Sequence, residues 1–272
     1  MYNRLPFGLQ SGPLSWQKVL DHVLQDVPST FVYLDDILVW ADTDEEHQRT
    51  IEEVFKKLAA NNMAPSLDKC IFGQKQVEYL GYLVTSEGIH PLPKKLEALD
   101  KFPVPKSQKD VLHFCGALNY FRTSLKGVKM PDGSFKSAAA VLQPLYSVGT
   151  DKLENGTKFK EIWEGSPILQ EGFENSKKML RNVVELCHPN PNFPLALFTD
   201  ASEHSVGEAL TMLSPEGEFK PLGFYSAHLT PTQKKYSVFK KELLGAHKSF
   251  PSRGLWVTST NLYGSSAIKT SF

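Results

Sequence analysis

Asp35 and Asp36 are adjacent carboxylates set between two apolar runs, Phe31-Val32-Tyr33-Leu34 and Ile37-Leu38-Val39-Trp40. Like charges this close repel, and the flanking residues are too apolar to solvate them well. A divalent cation with oxygen ligands resolves the conflict, and Mg²⁺ (or Mn²⁺) commonly takes one or two protein carboxylates together with substrate phosphates. Two such ions side by side clamp the attacking and leaving oxygens of a phosphoryl transfer. Asp-Asp is equally an ordinary turn sequence, so the pair alone leaves both readings open. A second acidic position, Asp200, ends the apolar run Leu195-Ala196-Leu197-Phe198-Thr199, where a carboxylate needs hydrogen bonds or a metal. Glu242 follows on a helix-patterned segment with Tyr236, Phe239, Leu243 and Leu244 as apolar neighbours. Taken alone, Glu242 reads as a surface helix residue.

The elements that must position these acids can be read from periodicity. Trp16, Val19, Leu20, Val23, Leu24 and Val27 trace one face of a helix that Pro28 and Ser29 stop. The two runs around Asp35-Asp36 are separated only by the acids, which predicts a β-hairpin with the pair at its tip. Thr43 followed by Glu46 is a capping-box pattern opening a second helix through Ile51, Val54, Phe55 and Leu58. Cys70–Phe72 and Val77–Thr85 read as strands, closed by a turn at Ser86-Glu87-Gly88. Pro91, Pro93, Pro103 and Pro105 punctuate a short helix, and a longer one follows Ser107 with Val111, Leu112, Cys115, Leu118 and Phe121 at helical spacing. Residues 127–160 read as a loop or linker with some helix near Ala138–Leu145. A helix is expected from Ser166-Pro167 to about Leu186, then strands at Leu195–Thr199, Val206–Leu213 and Pro221–Ser226, then one helix from Thr230-Pro231 to about Phe250. The pattern is lost after Pro251. No internal repeat or low-complexity tract is present.

Tyr33-Leu34-Asp35-Asp36 is the tetrapeptide of reverse transcriptases, and it falls on the expected hairpin. Upstream, Leu5-Pro6-Phe7-Gly8-Leu9-Gln10-Ser11-Gly12-Pro13 with Trp16-Gln17 resembles the palm segment that precedes it in these polymerases. Downstream, Val77-Glu78-Tyr79-Leu80-Gly81-Tyr82-Leu83-Val84 resembles the hairpin that grips the primer end. The order and spacing resemble the polyproteins of LTR retrotransposons of the Ty3/Gypsy group. The resemblance implies Asp35 as a metal ligand, Asp36 as a supporting carboxylate and Tyr33 near the primer–nucleotide junction. Phe7, Gly8 and Gln10 would lie by the incoming deoxynucleotide and template, and Tyr79 and Gly81 by the primer. The strand order around Asp200 and the segment Tyr236–Ala246 resemble ribonuclease H of the same elements, with Phe224-Tyr225-Ser226 and Leu229-Thr230-Pro231 matching the stretch between. That implies Asp200 and Glu242 as metal ligands that cleave the RNA strand of an RNA/DNA hybrid. Glu208 stands where the family usually has a small apolar residue, and is expected either to face outward or to weaken the core.

The resemblance also sets limits. The family's metals need an Asp from an earlier palm strand, and only Asp21 and Asp26, on the first helix, precede Asp35. The ribonuclease H site needs a further Asp on the strand after the Glu helix, where Trp256-Val257-Thr258-Ser259 stands instead. The expectation is a region truncated at both ends. It is either an enzyme segment whose sites other polyprotein segments complete, or an inactive remnant, inert or retained to bind nucleic acid.

The expected class is α/β, in three sections: residues 1–90 as palm, 91–160 as helical thumb, connection and linker, and 161–272 as a ribonuclease H-like domain. With 272 residues and 41% hydrophobic composition the chain can bury a sizeable core, which excludes wholesale disorder. Thirty Lys plus Arg balance thirty Asp plus Glu, so any nucleic-acid footprint must be local. Such a footprint exists at 91–130, where Lys94, Lys95, Lys101, Lys106, Lys109, Arg122, Lys126 and Lys129 face only Glu97, Asp100 and Asp110. Contacts of this kind hold a duplex backbone without reading sequence, although a solvated helix face has the same composition. Phe114, Tyr120 and Phe121 in this section read as core. No apolar run approaches the roughly 20 residues of a membrane helix. The first residues lack the apolar segment of a signal peptide. Cys70, Cys115 and Cys187 form no zinc or disulfide pattern. The His residues show no ligand spacing. An intracellular site, cytoplasmic or nuclear, is expected.

Overall fold

A computed structural model describes residues 8–151 and 158–249. The chain forms two compact units, Met1–Lys75 and Gln76–Phe272, a division that does not coincide with the three sections above. Helices and sheets are mixed in both, as the α/β expectation requires.

In the first unit, helix α1 (Gly12–Leu24) starts with Pro in its first turn, where a missing N–H costs nothing. Strands β1 (Thr30–Tyr33) and β2 (Asp36–Val39) pair antiparallel, with Thr30 opposite Val39 and Tyr33 opposite Asp36. Helix α2 (Asp44–Ala60) is capped by Thr43, whose hydroxyl accepts the Glu46 N–H, and its first turn holds Asp44, Glu45 and Glu46 against the positive end of the helix dipole. Leu20, Val23, Leu24, Val27, Val54 and Leu58 close the core, with Val32, Ile37 and Val39 packed on it. Trp16 and Val19 share the apolar stripe of α1 but are exposed, so only the second half of that helix is buried. The strand expected at Cys70–Phe72 does not form: Leu67–Lys69 is a turn of 3₁₀ helix and Cys70–Phe72 is irregular. Phe72 instead presses its ring edge-on against Phe55, centroids 6.2 Å apart.

The second unit begins with β3 (Gln76–Tyr79), β4 (Tyr82–Thr85) and β5 (Gly88–Pro91), so the segment read as strand over 77–85 is broken at Leu80-Gly81 into a hairpin. Helices α3 (Pro93–Asp100) and α4 (Gln108–Tyr120) follow, then the short pair β6 (Val128–Lys129) and β7 (Phe135–Lys136). The segment read as loop or linker with some helix near Ala138–Leu145 holds α5 (Ala138–Thr150), a longer helix with Pro144 inside it that buries Val141, Leu142, Leu145 and Val148. Its apolar stripe supplies the centre of the core and overrides the proline and the Gly/Ser-rich surroundings. Next come α6 (Phe159–Gly165) and α7 (Pro167–Arg181), which ends before the expected Leu186 because Leu186 and Cys187 form β8, pairing with β5. One core runs from Leu99 in α3 through Phe114 and Leu118 in α4 and Leu145 in α5 to Phe173 and Leu180 in α7.

A three-stranded antiparallel sheet completes the description: β9 (Leu195–Ala201), β10 (Ser205–Leu213) and β11 (Phe219–His228), in the order β11-β10-β9. The single helix expected after Thr230 is two: α8 (Pro231–Lys234), closed by a Thr230/Gln233 capping box, and α9 (Val238–Ser249). Ser237 separates them, its hydroxyl and carbonyl accepting the N–H groups of Lys240 and Lys241. The tail, including 256–259, lies outside the described residues.

Candidate active sites: two acidic positions

The hairpin β1–β2 carries Asp35 and Asp36 at its exposed end, beside exposed Tyr33. Its two-residue turn is Leu34-Asp35, and Leu34 has φ +52°. A bulky L-residue there is strained by about 1–3 kcal/mol. One side chain holds it in place. The Gln17 Oε1 accepts the Leu34 N–H at 2.6 Å, and the Gln17 Nε2 donates to the Val32 carbonyl at 3.0 Å. The same amide nitrogen donates to Asp21 Oδ1 at 2.7 Å, one turn further along α1. The helix therefore grips the hairpin where β1 enters its turn, just ahead of the two carboxylates. Gln17 was not singled out for this role in the sequence. The signal present was its spacing of four from Asp21, which on a helix puts the two side chains in reach.

Asp21 and Asp26, the aspartates that precede the pair, are engaged elsewhere. Asp21 orients Gln17, and Asp26 pairs with Lys57 at 3.6 Å. Gly8, with φ +86°, and Gln10 are exposed in the turn that enters α1. Phe7 lies outside the described residues. Tyr79 and Gly81 stand in the other compact unit, at the end of the β3–β4 hairpin: Tyr79 opposite Tyr82, and Gly81 at φ +77°.

In the second unit Asp200 is exposed near the end of β9, opposite Gly207. The loop beyond it is tied by Ser202, whose hydroxyl donates to the Ser205 carbonyl at 3.0 Å and accepts the Ser205 N–H at 2.9 Å. Glu242 is half-buried on α9, one turn before Gly245. Gly245 abuts the carboxylate of Glu208 and lies near Val206, so α9 covers the face of the sheet that carries these two residues. Glu208 is opposite Thr199, and side chains alternate along a strand, so Asp200 belongs to the face of Gly207. That face meets Ser137 at the start of α5. Strand alternation therefore does not set Asp200 against Glu242. Glu208 is buried beneath α9, which overturns the outward-facing expectation.

Whether these acids fit a divalent ion can be tested on the donor sets. Among the described residues, no group of three or more His, Cys, Asp and Glu side chains is placed to hold a metal ion. Asp35 and Asp36 supply two carboxylates at one exposed turn, short of a complete ligand set.

The chain thus combines a strained two-residue turn presenting paired acids with a three-stranded sheet covered by the helix that carries Glu242. Residues 1–84 match the family described as reverse transcriptase (RNA-dependent DNA polymerase), and residues 166–260 match the RNase H-like domain found in reverse transcriptase. Together the two matches make the chain similar to the reverse transcriptase/ribonuclease H region of Ty3/Gypsy-type retrotransposon polyproteins. It is 28% identical over 261 residues to the transposon Tf2-3 and Tf2-4 polyproteins of Schizosaccharomyces pombe, covering 95% of this chain. It spans only 18% of those polyproteins. Among solved structures it resembles the foamy viral protease-reverse transcriptase in complex with RNA/DNA hybrid, with TM-score 0.69 and 23% identity over 91% of this chain and 31% of that one. The dRH form of that enzyme in complex with double-stranded DNA gives TM-score 0.70 and 24% identity, over 91% of this chain and 40% of the other. No helix among the described residues is long and apolar enough to cross a membrane.

Proposed function

We propose that this chain is a nucleic-acid-engaging segment of an RNA-directed DNA polymerase with ribonuclease H, working on primer–template duplexes and RNA/DNA hybrids with deoxynucleotides as substrates. Asp35 and Asp36 are its contribution to the polymerase centre; Asp200 and Glu242 are the ribonuclease H acids that the resemblance implies, and since strand alternation does not set them against each other, they are not assigned to one metal site within this chain. The carrying observation is the Gln17-held turn, which spends a strained backbone to present two carboxylates to solvent. Mg²⁺ or Mn²⁺ bound there would neutralise phosphate charge. The pair lacks the further ligands such an ion needs, so no metal-dependent step is assigned to this chain alone. Catalysis then requires at least one more carboxylate from another polypeptide segment.

The cations at 91–130 support the binding half of the reading. Lys94, Lys95, Lys101, Lys106, Lys109, Arg122, Lys126 and Lys129 are all exposed, as a surface that follows phosphates must be. Binding of a labelled RNA/DNA hybrid to the full chain, measured across a salt series, tests this. The affinity should fall linearly on logarithmic axes with a slope of about −0.9 per phosphate neutralised on B-form duplex. Primer extension should be absent for the chain alone and appear, Mg²⁺-dependent, when a polypeptide supplying a further palm carboxylate is added. Asp35→Asn should abolish that extension and leave hybrid binding unchanged. Salt-insensitive or absent hybrid binding would refute the proposal.

A further inference from the structure

The turn between β3 and β4 is bolted to the end of α4 by two tyrosines. Leu80 and Gly81 both have positive φ, +45° and +77°, the backbone that joins two strands through two residues. Leucine is a poor residue for it. The Tyr120 hydroxyl donates to the Leu80 carbonyl. In return the Tyr82 hydroxyl donates to the Tyr120 carbonyl at 3.0 Å, one of the last carbonyls of α4, which the helix itself leaves unpaired. The two rings stack at 5.7 Å and 28°, and Tyr82 meets Phe121 edge-on at 5.7 Å. The Lys95 ammonium sits 5.3 Å from the Tyr120 ring centroid. A Cβ at Gly81 would fall 2.5 Å from Lys95 Nζ and 3.1 Å from the Tyr120 hydroxyl. The positive φ and the close Tyr120 ring disfavour a side chain there, although Lys95 could swing aside.

We infer that Tyr120 is a positioning residue: its hydroxyl, answered by that of Tyr82, fixes the Leu80–Gly81 turn to the C-terminal end of α4, so that turn and helix meet the end of a nucleic-acid strand as one rigid piece. The identity of that ligand rests on the function proposed above. The lock itself rests on the hydrogen bonds alone. Burial of Tyr82 raises its pKa above the ordinary phenol value, which keeps it a donor.

Tyr120→Phe and Tyr82→Phe each remove one hydroxyl and keep the rings. Two measurements on the full chain separate the lock from its ligand. Amide hydrogen exchange at 79–82 should quicken about three- to tenfold in each variant, the size expected for one net hydrogen bond, with α7 unchanged. Equal exchange in wild type and variants would overturn the lock. The second measurement compares affinity for an RNA/DNA hybrid with a recessed DNA 3′ end against a blunt one. Wild type should prefer the recessed end, and Tyr120→Phe should cut that preference by about the same factor, leaving blunt-end affinity intact. An equal loss on both hybrids would mark a merely structural residue and overturn the positioning role. If wild type binds neither hybrid while exchange still responds, the nucleic-acid reading falls together with the proposed function, and the lock alone is upheld.

Discussion

Gln17 shows what a single side chain contributes to the acidic turn. Its amide holds the Val32 carbonyl and the Leu34 N–H where β1 enters the turn, so Gln17→Ala leaves the Leu34 N–H without that acceptor and lets a left-handed leucine relax. The first unit should lose about 1–3 kcal/mol, and the Leu34 amide should exchange faster than its neighbours in a hydrogen-exchange experiment. Unchanged exchange at Leu34 would show that the turn holds itself. The pair of acids was legible in the sequence because adjacent Asp residues between apolar runs form a local pattern. The glutamine's role was not, because it joins residues 15 and 17 positions apart, a distance that no periodicity marks. The cysteines make the same point through chemistry. Burial pushes the Cys115 thiol up to about 12 and removes it from reaction near neutral pH, whereas Cys70 is partly exposed. A maleimide should label Cys70 in the native chain and reach Cys115 only after denaturant unfolds the second unit. Early labelling of Cys115 would contradict the burial of α4.

Among the elements, those with a local start signal were the legible ones. Thr43 and Ser107 cap α2 and α4 as their positions suggested. Asp110 adds to the second cap, its carboxylate accepting the Lys106 N–H at 3.0 Å while the Ser107 hydroxyl accepts the Asp110 N–H at 3.2 Å. The Lys106 hydrogen bond, foremost, holds the Asp110 pKa below the ordinary aspartate value. A lowered folded-state pKa contributes stability that is present above the unfolded value and lost as pH falls through the folded one. The unfolding midpoint of wild type should therefore exceed that of Asp110→Asn at neutral pH, and the gap should close on acidification. A gap that persists in acid would point to packing rather than charge. Helix α5 was only half legible: some helix is expected near Ala138–Leu145, but it runs on to Thr150. Its second half passes through Pro144 and Gly149 and is held by tertiary contacts that propensity does not count. At Gly172 of α7 a Cβ would sit 3.3 Å from the Val141 carbonyl of α5, so the two helices meet backbone to side-chain-free backbone. Gly172→Val should overpack this crossing and cost about 1–3 kcal/mol by denaturant melting.

At the scale of the whole chain, the sequence carried the ancestry of both halves but not where the compact units divide. The polymerase-like and ribonuclease H-like motifs sit far apart, while the folded boundary falls between Lys75 and Gln76, inside the stretch that reads as continuous palm. The reason lies in the cores. Leu20, Val23, Leu24, Val27, Val54 and Leu58 form one, and Leu99 through Leu180 form another. Helices α3, α4, α5 and α7 are knit into that second core, although charge and composition had assigned them to separate sections. If each core is the cooperative unit, destabilising one should leave the other standing. Leu58→Ala removes a fully packed leucine from the first core and should cost about 2–5 kcal/mol, and Phe114→Ala should cost the second about 3–5 kcal/mol. Hydrogen exchange read peptide by peptide distinguishes the two. Leu58→Ala should raise exchange in α1 and α2 and leave α4 and α7 at wild-type rates, and Phe114→Ala should do the reverse. The acids at 35–36 would then ride on a unit whose stability is set by a handful of aliphatic side chains, independently of the basic helices that follow. Exchange that rises everywhere in either variant would mean that the chain unfolds as one body, and that the presentation of the acidic turn depends on the packing of α4 and α7.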